Sequence, residues 1–185
     1  MKNIYLYYPG CTLETSAKEY DLSTRSLFEG LEIGLMEIED WTCCGASAAE
    51  ANCALLSLSL GARNLALAEA QAPGTDILVP CSACYLNLKR AEVETADLER
   101  VNTVLAEENL HLGTPPAVRH LLDILSVDVG AAKLAEGVTH FLTGLNVAPY
   151  YGCQCLRPYT VFDDPESPTS MEPLIQATGA TVFPW

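Results

Sequence analysis

Residues 3–11, NIYLYYPGC, decide the fold because they join a short apolar run to a turn and then to a cysteine. Ile and Tyr in residues 3–9 favour a buried β-strand, and the Pro-Gly dipeptide that follows ends it. Apolar side chains recur at helical spacing between about residues 14 and 30, so a helix is expected next. The unit is therefore a strand, a turn that carries Cys11, and a helix.

The same unit occurs twice more along the chain. Residues 34–40 (GLMEIED) and 76–80 (DILVP) are predicted strands, followed by long helices over residues 47–72 and to about residue 110. Such alternation is typical of an α/β domain with a mainly parallel sheet, whose sites collect outside the carboxyl ends of the strands. The cysteines that follow the three strands, and that we expect to meet at one edge, are Cys11, Cys43, Cys44, Cys81 and Cys84.

Composition limits the possible partners and the compartment. Of the 185 residues, 49% are hydrophobic, and 24 acidic against 10 basic residues give a net charge of -14, which disfavours nucleic acid and anionic membranes. No run of about 18 apolar residues predicts a membrane span, and the first residues lack the pattern of a signal peptide. We therefore expect a cytoplasmic, reducing location, where eight cysteines indicate metal binding or redox chemistry.

The chain repeats its opening plan in its last part. Residues 145–155 (LNVAPYYGCQC) again combine an apolar strand, two tyrosines, glycine and cysteine, with Cys153 in the place of Cys11. A helix, a glycine turn and a strand follow, and Trp185 matches Trp41, so we expect a second α/β unit that is truncated before its own Cys-Cys-Gly. The predicted domains are residues 1–112, a linker (113–144) with helices at about 117–128 and 131–143, and an incomplete second unit (145–185).

The number of thiols favours an iron–sulfur cluster. Five thiols exceed the four ligands of a tetrahedral zinc ion, and soft thiolates in a reducing compartment suit iron–sulfur chemistry. Neighbouring side chains such as Cys43 and Cys44 point in different directions, which disfavours a strained disulfide between them. Such a pair suits a cluster in which the two thiolates bind different irons, or in which one thiolate bridges two irons. A zinc site built from Cys81, Cys84 and two further thiols stays open as an alternative, although it leaves one thiol unexplained.

The spacing C-x31-CCG-x35-C-x2-C, which begins at Cys11, resembles the cysteine-rich CCG domain. With the stretches YYPGC, WTCCGA, VPCSACY and YYGCQCLRP, the chain is similar in particular to the B subunit of heterodisulfide reductase, which carries two such domains. The resemblance implies a noncubane [4Fe-4S] cluster for each complete motif: one in this chain, and two in a full-length protein of that kind. Cys153 would lead the second motif. The first cluster would be ligated by Cys11, Cys43, Cys44, Cys81 and Cys84.

The resemblance also implies an activity and partners. In that family the two clusters reductively cleave a small disulfide formed by two thiol coenzymes, with electrons that arrive through an iron–sulfur subunit and a flavin-containing subunit. Two alternatives stay open. The chain could be an electron-transfer CCG subunit of a dehydrogenase complex, or a zinc-stabilised binding domain without a redox role.

Several other residues have simpler expected roles. Cys53 lies in an Ala/Leu-rich predicted helix and is expected to be a small buried residue, whereas Cys155 is expected to be either buried or a spare exposed thiol. His120, like the other two histidines, has no ligand-like spacing, so a surface or packing role is expected. Of the paired tyrosines Tyr7 and Tyr8, one is expected to border the cluster pocket.

Overall fold

The main sheet has four parallel strands in the computed structural model, which describes residues 3–94, 96–159 and 161–183. The strands are β1 (Ile4–Tyr7), β2 (Gly34–Glu37), β3 (Ile77–Val79) and β4 (Val118–His120), and their order in the sheet is β2-β1-β3-β4. In register, Leu6 lies opposite Met36 of β2 and Ile77 of β3. The predicted α/β class with a parallel sheet is confirmed, and β1, β2 and β3 lie within the three predicted strand segments.

Helices connect the successive strands of the main sheet, because a parallel neighbour can only be reached by a crossover. In chain order they are α1 (Cys11–Glu14) and α2 (Lys18–Gly30) before β2, α3 (Ala46–Asn52) and α4 (Ala54–Gln71) before β3, and α5 (Ser82–Val93) and α6 (Leu98–Leu105) before β4. A short 3-10 turn, Ala106–Glu108, follows α6.

The two faces of the sheet bury two apolar layers, as the alternation of side chains along a strand requires. Leu6 and Tyr8 face one layer, where they join the buried side chains of α4 and α5. Tyr5 and Tyr7 face the other layer, with Phe28 of α2. Tyr8 is therefore directed towards the side of the sheet that α4 and α5 cover.

The remainder of the chain adds a second, two-stranded sheet. After β4 come α7 (Leu121–Asp123), a π-helical turn (Ile124–Val129) and α8 (Gly130–Glu136); β5 (Asn146–Val147), α9 (Met171–Ala177) and β6 (Thr181–Val182) follow. β5 and β6 are parallel, so the order strand, helix, parallel strand repeats the arrangement of β1, α2 and β2. Trp185, on which part of the predicted repeat rests, lies outside the described residues. The proposed domain boundaries stay a prediction.

The segment predicted as the first linker helix, residues 117–128, begins instead as a strand. Val118–His120 pairs in register with Ile77–Val79 and completes the main sheet, and the helix starts only at Leu121. The prediction of a helix was wrong at these three residues because the pairing edge of β3 is a long-range feature, which local helical periodicity does not contain. The second linker helix is also shorter than predicted, since α8 ends at Glu136.

Two long predicted helices are broken. The helix expected over residues 47–72 is interrupted at Cys53, whose backbone is extended (φ −157°, ψ 117°) and which ends α3 and begins α4. Cys53 is exposed, so the expectation of a buried residue inside a helix was wrong. The helix expected to reach residue 110 ends at Val93 and resumes at Leu98.

One buried ion network lies between β3, β4 and the helical turn after β4. Arg119 pairs with Asp76, Asp123 and Asp128, and Asp123 is buried. These carboxylates raise the pKa of the Arg119 guanidinium, because its hydrogen bonds with Asp123 and Asp128 favour the charged form.

Among the described residues, no helix is long and apolar enough to cross a membrane.

Candidate functional site

Five cysteines gather at the carboxyl edge of the main sheet. Cys11 opens α1 directly after β1, Cys43 and Cys44 lie in the loop after β2, and Cys81 and Cys84 lie at the start of α5, after β3. This is the grouping that the ends of the predicted strands indicated. It arises because parallel strands place all their carboxyl ends at one edge.

The thiols form close contacts that divide the site into an outer and an inner part. The sulfurs of Cys11 and Cys43 lie 3.7 Å apart, and both residues are exposed. The sulfurs of Cys44 and Cys84 lie 3.4 Å apart, and both residues are buried. Cys81 is half-buried and shares a hydrogen bond with Cys84. The site thus has an exposed side and a buried side.

The adjacent cysteines point to different partners, as predicted from their being neighbours. Cys43 contacts Cys11 in the outer part, whereas Cys44 contacts Cys84 in the inner part. The next residue, Gly45, has a left-handed backbone (φ +82°), and a Cβ there would lie 2.7 Å from the Cβ of Ala49. Only glycine fits this turn without strain, so the Cys-Cys-Gly order has a backbone reason.

The peptide that precedes the pair is held by two buried side chains. Asn64 of α4 accepts a hydrogen bond from the Thr42 N–H (2.8 Å) and donates one to the Thr42 carbonyl (3.0 Å). The Tyr8 hydroxyl donates a second hydrogen bond to the same carbonyl, at 2.7 Å. Asn64 and Tyr8 are both fully buried, and the Tyr8 ring packs edge-on against Trp41 with 5.2 Å between ring centroids.

Tyr8 lies behind the thiols. Burial raises the pKa of its phenol above the usual range, and the neighbouring sulfurs of Cys84, Cys44, Cys43 and Cys11 raise it further. Tyr8 is thus the member of the tyrosine pair that borders the site. Tyr7, on the other face of the sheet, donates a hydrogen bond to Asp21.

Gly10 gives the Cys84 sulfur its space. Its backbone (φ +75°, ψ 161°) lies in a region that side chains other than glycine rarely adopt. A Cβ at this position would lie 2.8 Å from the Cys84 Sγ and 3.3 Å from the Tyr8 ring. The Pro-Gly turn that ended the first predicted strand therefore also leaves room for an inner thiol.

The inner thiols have unequal proton affinities. Hydrogen bonds shared with the Cys84 sulfur lower the pKa of Cys81 to about 6 and that of Cys44 to about 7, helped by backbone N–H groups of Ala83 and Cys84 at Cys81 and of Ala46 at Cys44. The same two contacts, together with burial, raise the pKa of Cys84. Burial also raises the pKa of Cys43. Two thiolates are thus available near neutral pH, and thiolates are the form that binds metal.

The five sulfurs are divided between the outer and the inner part of the site. Within residues 3–94, 96–159 and 161–183, no group of three or more His, Cys, Asp or Glu side chains is arranged to hold a metal ion. The thiols are spread instead over an outer pair and an inner group, with backbone N–H groups directed at the sulfurs. Ligands spread in this way suit several irons that share the sulfurs.

The last two cysteines lie on the second unit. Cys153 is exposed and follows β5, where it lines a pocket of about 200 Å³ together with Tyr150, Tyr151 and Pro168. Cys155 is buried, and its thiol donates a hydrogen bond to the Tyr151 carbonyl at 3.1 Å. The buried alternative for Cys155 is therefore the right one. Cys153 lies six residues after the end of β5, whereas Cys11 lies four residues after the end of β1.

His120 packs beside the site and has the structural role that its isolated position in the sequence indicated. It is buried at the end of β4, where its Nδ1 accepts a hydrogen bond from the Leu122 N–H, and its Nε2 lies 3.2 Å from the Ser82 Oγ. Phe162 of the loop after β5 stacks parallel to its ring at 6.5 Å. Burial lowers the pKa of His120 to about 4, so the ring is neutral at pH 7.

Two contributors to the site, Asn64 and Gly10, were not singled out by the sequence analysis. Asn64 is a lone amide in an Ala/Leu-rich helix, and an amide buried in such surroundings needs hydrogen-bond partners. That composition was the available signal, but it did not indicate which residue the amide would bind. Gly10 was assigned only to a turn, because its contact with Cys84 joins residues from different strand ends.

Comparison with known families and proteins gives consistent matches. The model of the CCG family, described as a cysteine-rich domain, matches residues 5–89. The 8-methylmenaquinol:fumarate reductase membrane anchor subunit of Wolinella succinogenes is 38% identical over 100% of this chain and 65% of that protein. A protein of Archaeoglobus profundus, described as similar to the B subunit of heterodisulfide reductase, is 30% identical over 95% of this chain and 61% of its own length.

Two further comparisons extend the picture. The B subunit of the ferredoxin/F420H2-dependent CoB-CoM heterodisulfide reductase of Methanosarcina acetivorans is 28% identical over 94% of this chain and 59% of that protein. The chain thus spans less than two thirds of the length of these three relatives. A crystal structure of a hypothetical protein from Helicobacter pylori matches with a TM-score of 0.67 at 13% identity, over 97% of this chain and 32% of that one, which concerns the fold alone.

Proposed function

We propose that the chain is the iron–sulfur subunit of a multi-subunit reductase complex, because residues 5–89 match the model of the CCG family of cysteine-rich domains, as the resemblance in the sequence indicated. The observation that carries the proposal is the convergence of five thiols from three strand ends at one edge of the sheet. Two exposed thiols lie 3.7 Å apart and two buried thiols lie 3.4 Å apart at this edge. Thiols that only pack in a core need not be grouped in this way.

The proposed cofactor is one noncubane [4Fe-4S] cluster at this edge. Thiolates are its natural ligands, and the lowered pKa of Cys81 and of Cys44 supplies two of them at neutral pH. The absence of a side chain at Gly10 keeps the approach to Cys84 free. The proposed ligands are Cys11, Cys43, Cys44, Cys81 and Cys84.

The chain's own residues define how the group would be held. Cys44 and Cys84 anchor the buried side, where backbone N–H groups and the Asn87 amide, 3.9 Å from the Cys44 sulfur, stabilise negative sulfur. Cys11 and Cys43 lie on the exposed side, which is the side that a solute or a partner can reach. When bound, an iron–sulfur cluster supplies single electrons and an electrophilic iron that can bind sulfur.

The proposed reaction is the reductive cleavage of a small disulfide. Cleavage consumes two electrons and yields two thiolates, so it needs an electron supply and a place for a leaving sulfur. Two relatives are named as B or B-like subunits of heterodisulfide reductases, which supports this substrate class. We further propose that an iron–sulfur subunit and a flavin-containing subunit supply the electrons, and that the complex works in the reducing cytoplasm, where free thiols persist.

A second function, electron transfer without disulfide chemistry, is favoured by a separate observation. The relative that is 38% identical over the whole of this chain is named as the membrane anchor subunit of a fumarate reductase, and not as a disulfide reductase. On this alternative the same thiols hold the same cluster, which passes electrons between partner subunits. The ligand set is equal in both cases, so only the fate of a disulfide separates them.

The repeated unit supports a second proposal of the same kind. Gly152 and Cys153 follow β5 as Gly10 and Cys11 follow β1, and both glycines have positive φ angles, +70° and +75°. We propose that the first CCG domain comprises residues 1–112, that 113–144 links it to the second unit, and that Cys153 is the leading ligand of a second cluster.

An anaerobic experiment on the complex tests these assignments. The chain, purified with its natural partner subunits, is reduced and then mixed with cystamine, a small disulfide, while the visible and EPR spectra and the released thiols are measured. Disulfide reduction predicts reoxidation of the cluster and two thiols for each cystamine consumed. Reversible cluster reduction without thiol release would favour electron transfer, and zinc without iron and acid-labile sulfide would overturn the proposed function.

A further inference from the structure

The backbone of Thr42, the residue directly before the adjacent cysteines, is held by hydrogen bonds to two side chains from outside its own loop. Asn64 bonds both its N–H and its carbonyl (2.8 and 3.0 Å), and the Tyr8 hydroxyl bonds the carbonyl again (2.7 Å). The third Asn64 bond, to the Leu60 carbonyl at 2.9 Å, fixes the amide on its own helix. We refer to Asn64 and Tyr8 as the Thr42 clamp.

The clamp joins the two elements that flank the site. Tyr8 follows β1 and Asn64 belongs to α4, so Thr42 is tied both to the strand that leads to Cys11 and to the second helix after Cys44. On the other side of the pair, Gly45 fixes the chain through its left-handed turn. The two cysteines thus lie between two rigid points, with little backbone freedom left to them.

We infer that Asn64 and Tyr8 are positioning residues, which hold Cys43 and Cys44 so that their sulfurs face Cys11 and Cys84. Burying an amide and a phenol in this apolar layer costs free energy unless both are hydrogen-bonded, and their shared partner is the residue before the pair. That these positions serve a cluster rests on the proposed function, whereas the placement of the thiols does not.

The chain offers a matched control. Asn102 of α6 makes the same pair of bonds to one peptide, accepting from the Leu112 N–H (2.8 Å) and donating to the Leu112 carbonyl (3.0 Å). Asn102→Ala therefore removes an equivalent pair of asparagine hydrogen bonds, and neither of these bonds involves one of the five thiols. Tyr8→Phe removes only the hydroxyl and keeps the buried ring, so it tests the clamp where Asn64→Ala fails to fold.

The test measures how fast Cys11 and Cys43 are cross-linked in the reduced, metal-free chain. Their sulfurs, 3.7 Å apart, must close to the roughly 2.05 Å of a disulfide, so the rate depends on how well Cys43 is held. Diamide is the oxidant, and nonreducing peptide mass spectrometry counts the Cys11–Cys43 product. We expect Asn64→Ala and Tyr8→Phe to slow this cross-link by about tenfold or more, a ratio that corresponds to about 1.4 kcal/mol, and Asn102→Ala to leave it within about twofold.

Iron uptake during anaerobic reconstitution is measured in parallel, and the two readouts separate the two proposals. A slower cross-link in both clamp variants supports the positioning role, even if the unaltered chain takes up no iron and the proposed function fails. A rate equal to that of Asn102→Ala in folded Tyr8→Phe overturns the positioning role, even if the unaltered chain binds iron normally.

Discussion

Replacing Gly10 by alanine tests whether the inner thiol needs the space that glycine leaves. The backbone at Gly10 (φ +75°, ψ 161°) is nearly restricted to glycine, which costs about 1–3 kcal/mol for another residue. The added Cβ would also lie 2.8 Å from the Cys84 sulfur, and overpacking of this kind costs about 1–3 kcal/mol more. We therefore expect Gly10→Ala to lower the free energy of unfolding by about 2–6 kcal/mol, a large part of the total for a domain.

A double-mutant cycle isolates the sulfur contact from the backbone strain. Gly74→Ala is the matched control, since Gly74 shares a positive φ (+71°) but a Cβ there would meet no atom within 4 Å. In a Cys84→Ala background the sulfur is gone, so Gly10→Ala should cost about 1–3 kcal/mol less than in the unaltered chain.

Urea unfolding of the reduced, metal-free chains, followed by circular dichroism, measures each corner of the cycle. An equal cost of Gly10→Ala with and without the Cys84 sulfur would refute the reasoning, because the strain would then lie in the backbone alone.

Two further predictions concern groups next to the site, and the same urea assay checks both. The folded pKa of His120 (about 4) lies below its ordinary 6.5, so the unfolded chain binds the proton first as the pH falls, and stability drops between pH 6.5 and 4. Between pH 6.5 and 4, the free energy of unfolding of the unaltered chain should fall by about 3 kcal/mol more than that of His120→Asn. The exposed His111→Asn variant is the control and should show the same loss as the unaltered chain. Equal losses of stability in all three proteins would contradict a buried neutral ring at His120. Arg119→Met should cost about 3–5 kcal/mol at pH 7, because it leaves the buried Asp123 carboxylate without its arginine partner. Exposed Arg100→Met should cost no more than about 1 kcal/mol, and a similar cost for both arginines would show that the network does not act as a buried one.

The sequence contained enough information to predict the architecture and the grouping of the thiols. Alternating strands and helices imply a parallel sheet, and a parallel sheet brings every carboxyl end to one edge. The five cysteines follow three such ends, so their meeting is a consequence of topology and needs no knowledge of side-chain packing. The different directions of Cys43 and Cys44 could also be predicted, because the side chains of adjacent residues do not point the same way.

What the sequence did not indicate depends on contacts between distant segments. β4 exists because Val118–His120 meets the free edge of β3, and nothing local distinguishes these residues from the start of a helix. The helix breaks at Cys53 although no proline or glycine lies next to this residue, so no local sequence signal predicts the break. Asn64 could be recognised as an unusual residue in an apolar helix, but its partner, Thr42, lies 22 residues away.

We propose that Cys11, Cys43, Cys44, Cys81 and Cys84 hold an iron–sulfur cluster. The most direct test of this claim is the quantification of iron and acid-labile sulfide in anaerobically prepared chains, with zinc measured on the same samples. We predict about four irons and about four sulfides for this site in the unaltered chain. Exposed Cys53→Ser should leave both counts unchanged, and Cys11→Ser combined with Cys43→Ser should lower them strongly. Unchanged iron and sulfide in the double variant, or zinc in place of iron in the unaltered chain, would contradict the claim.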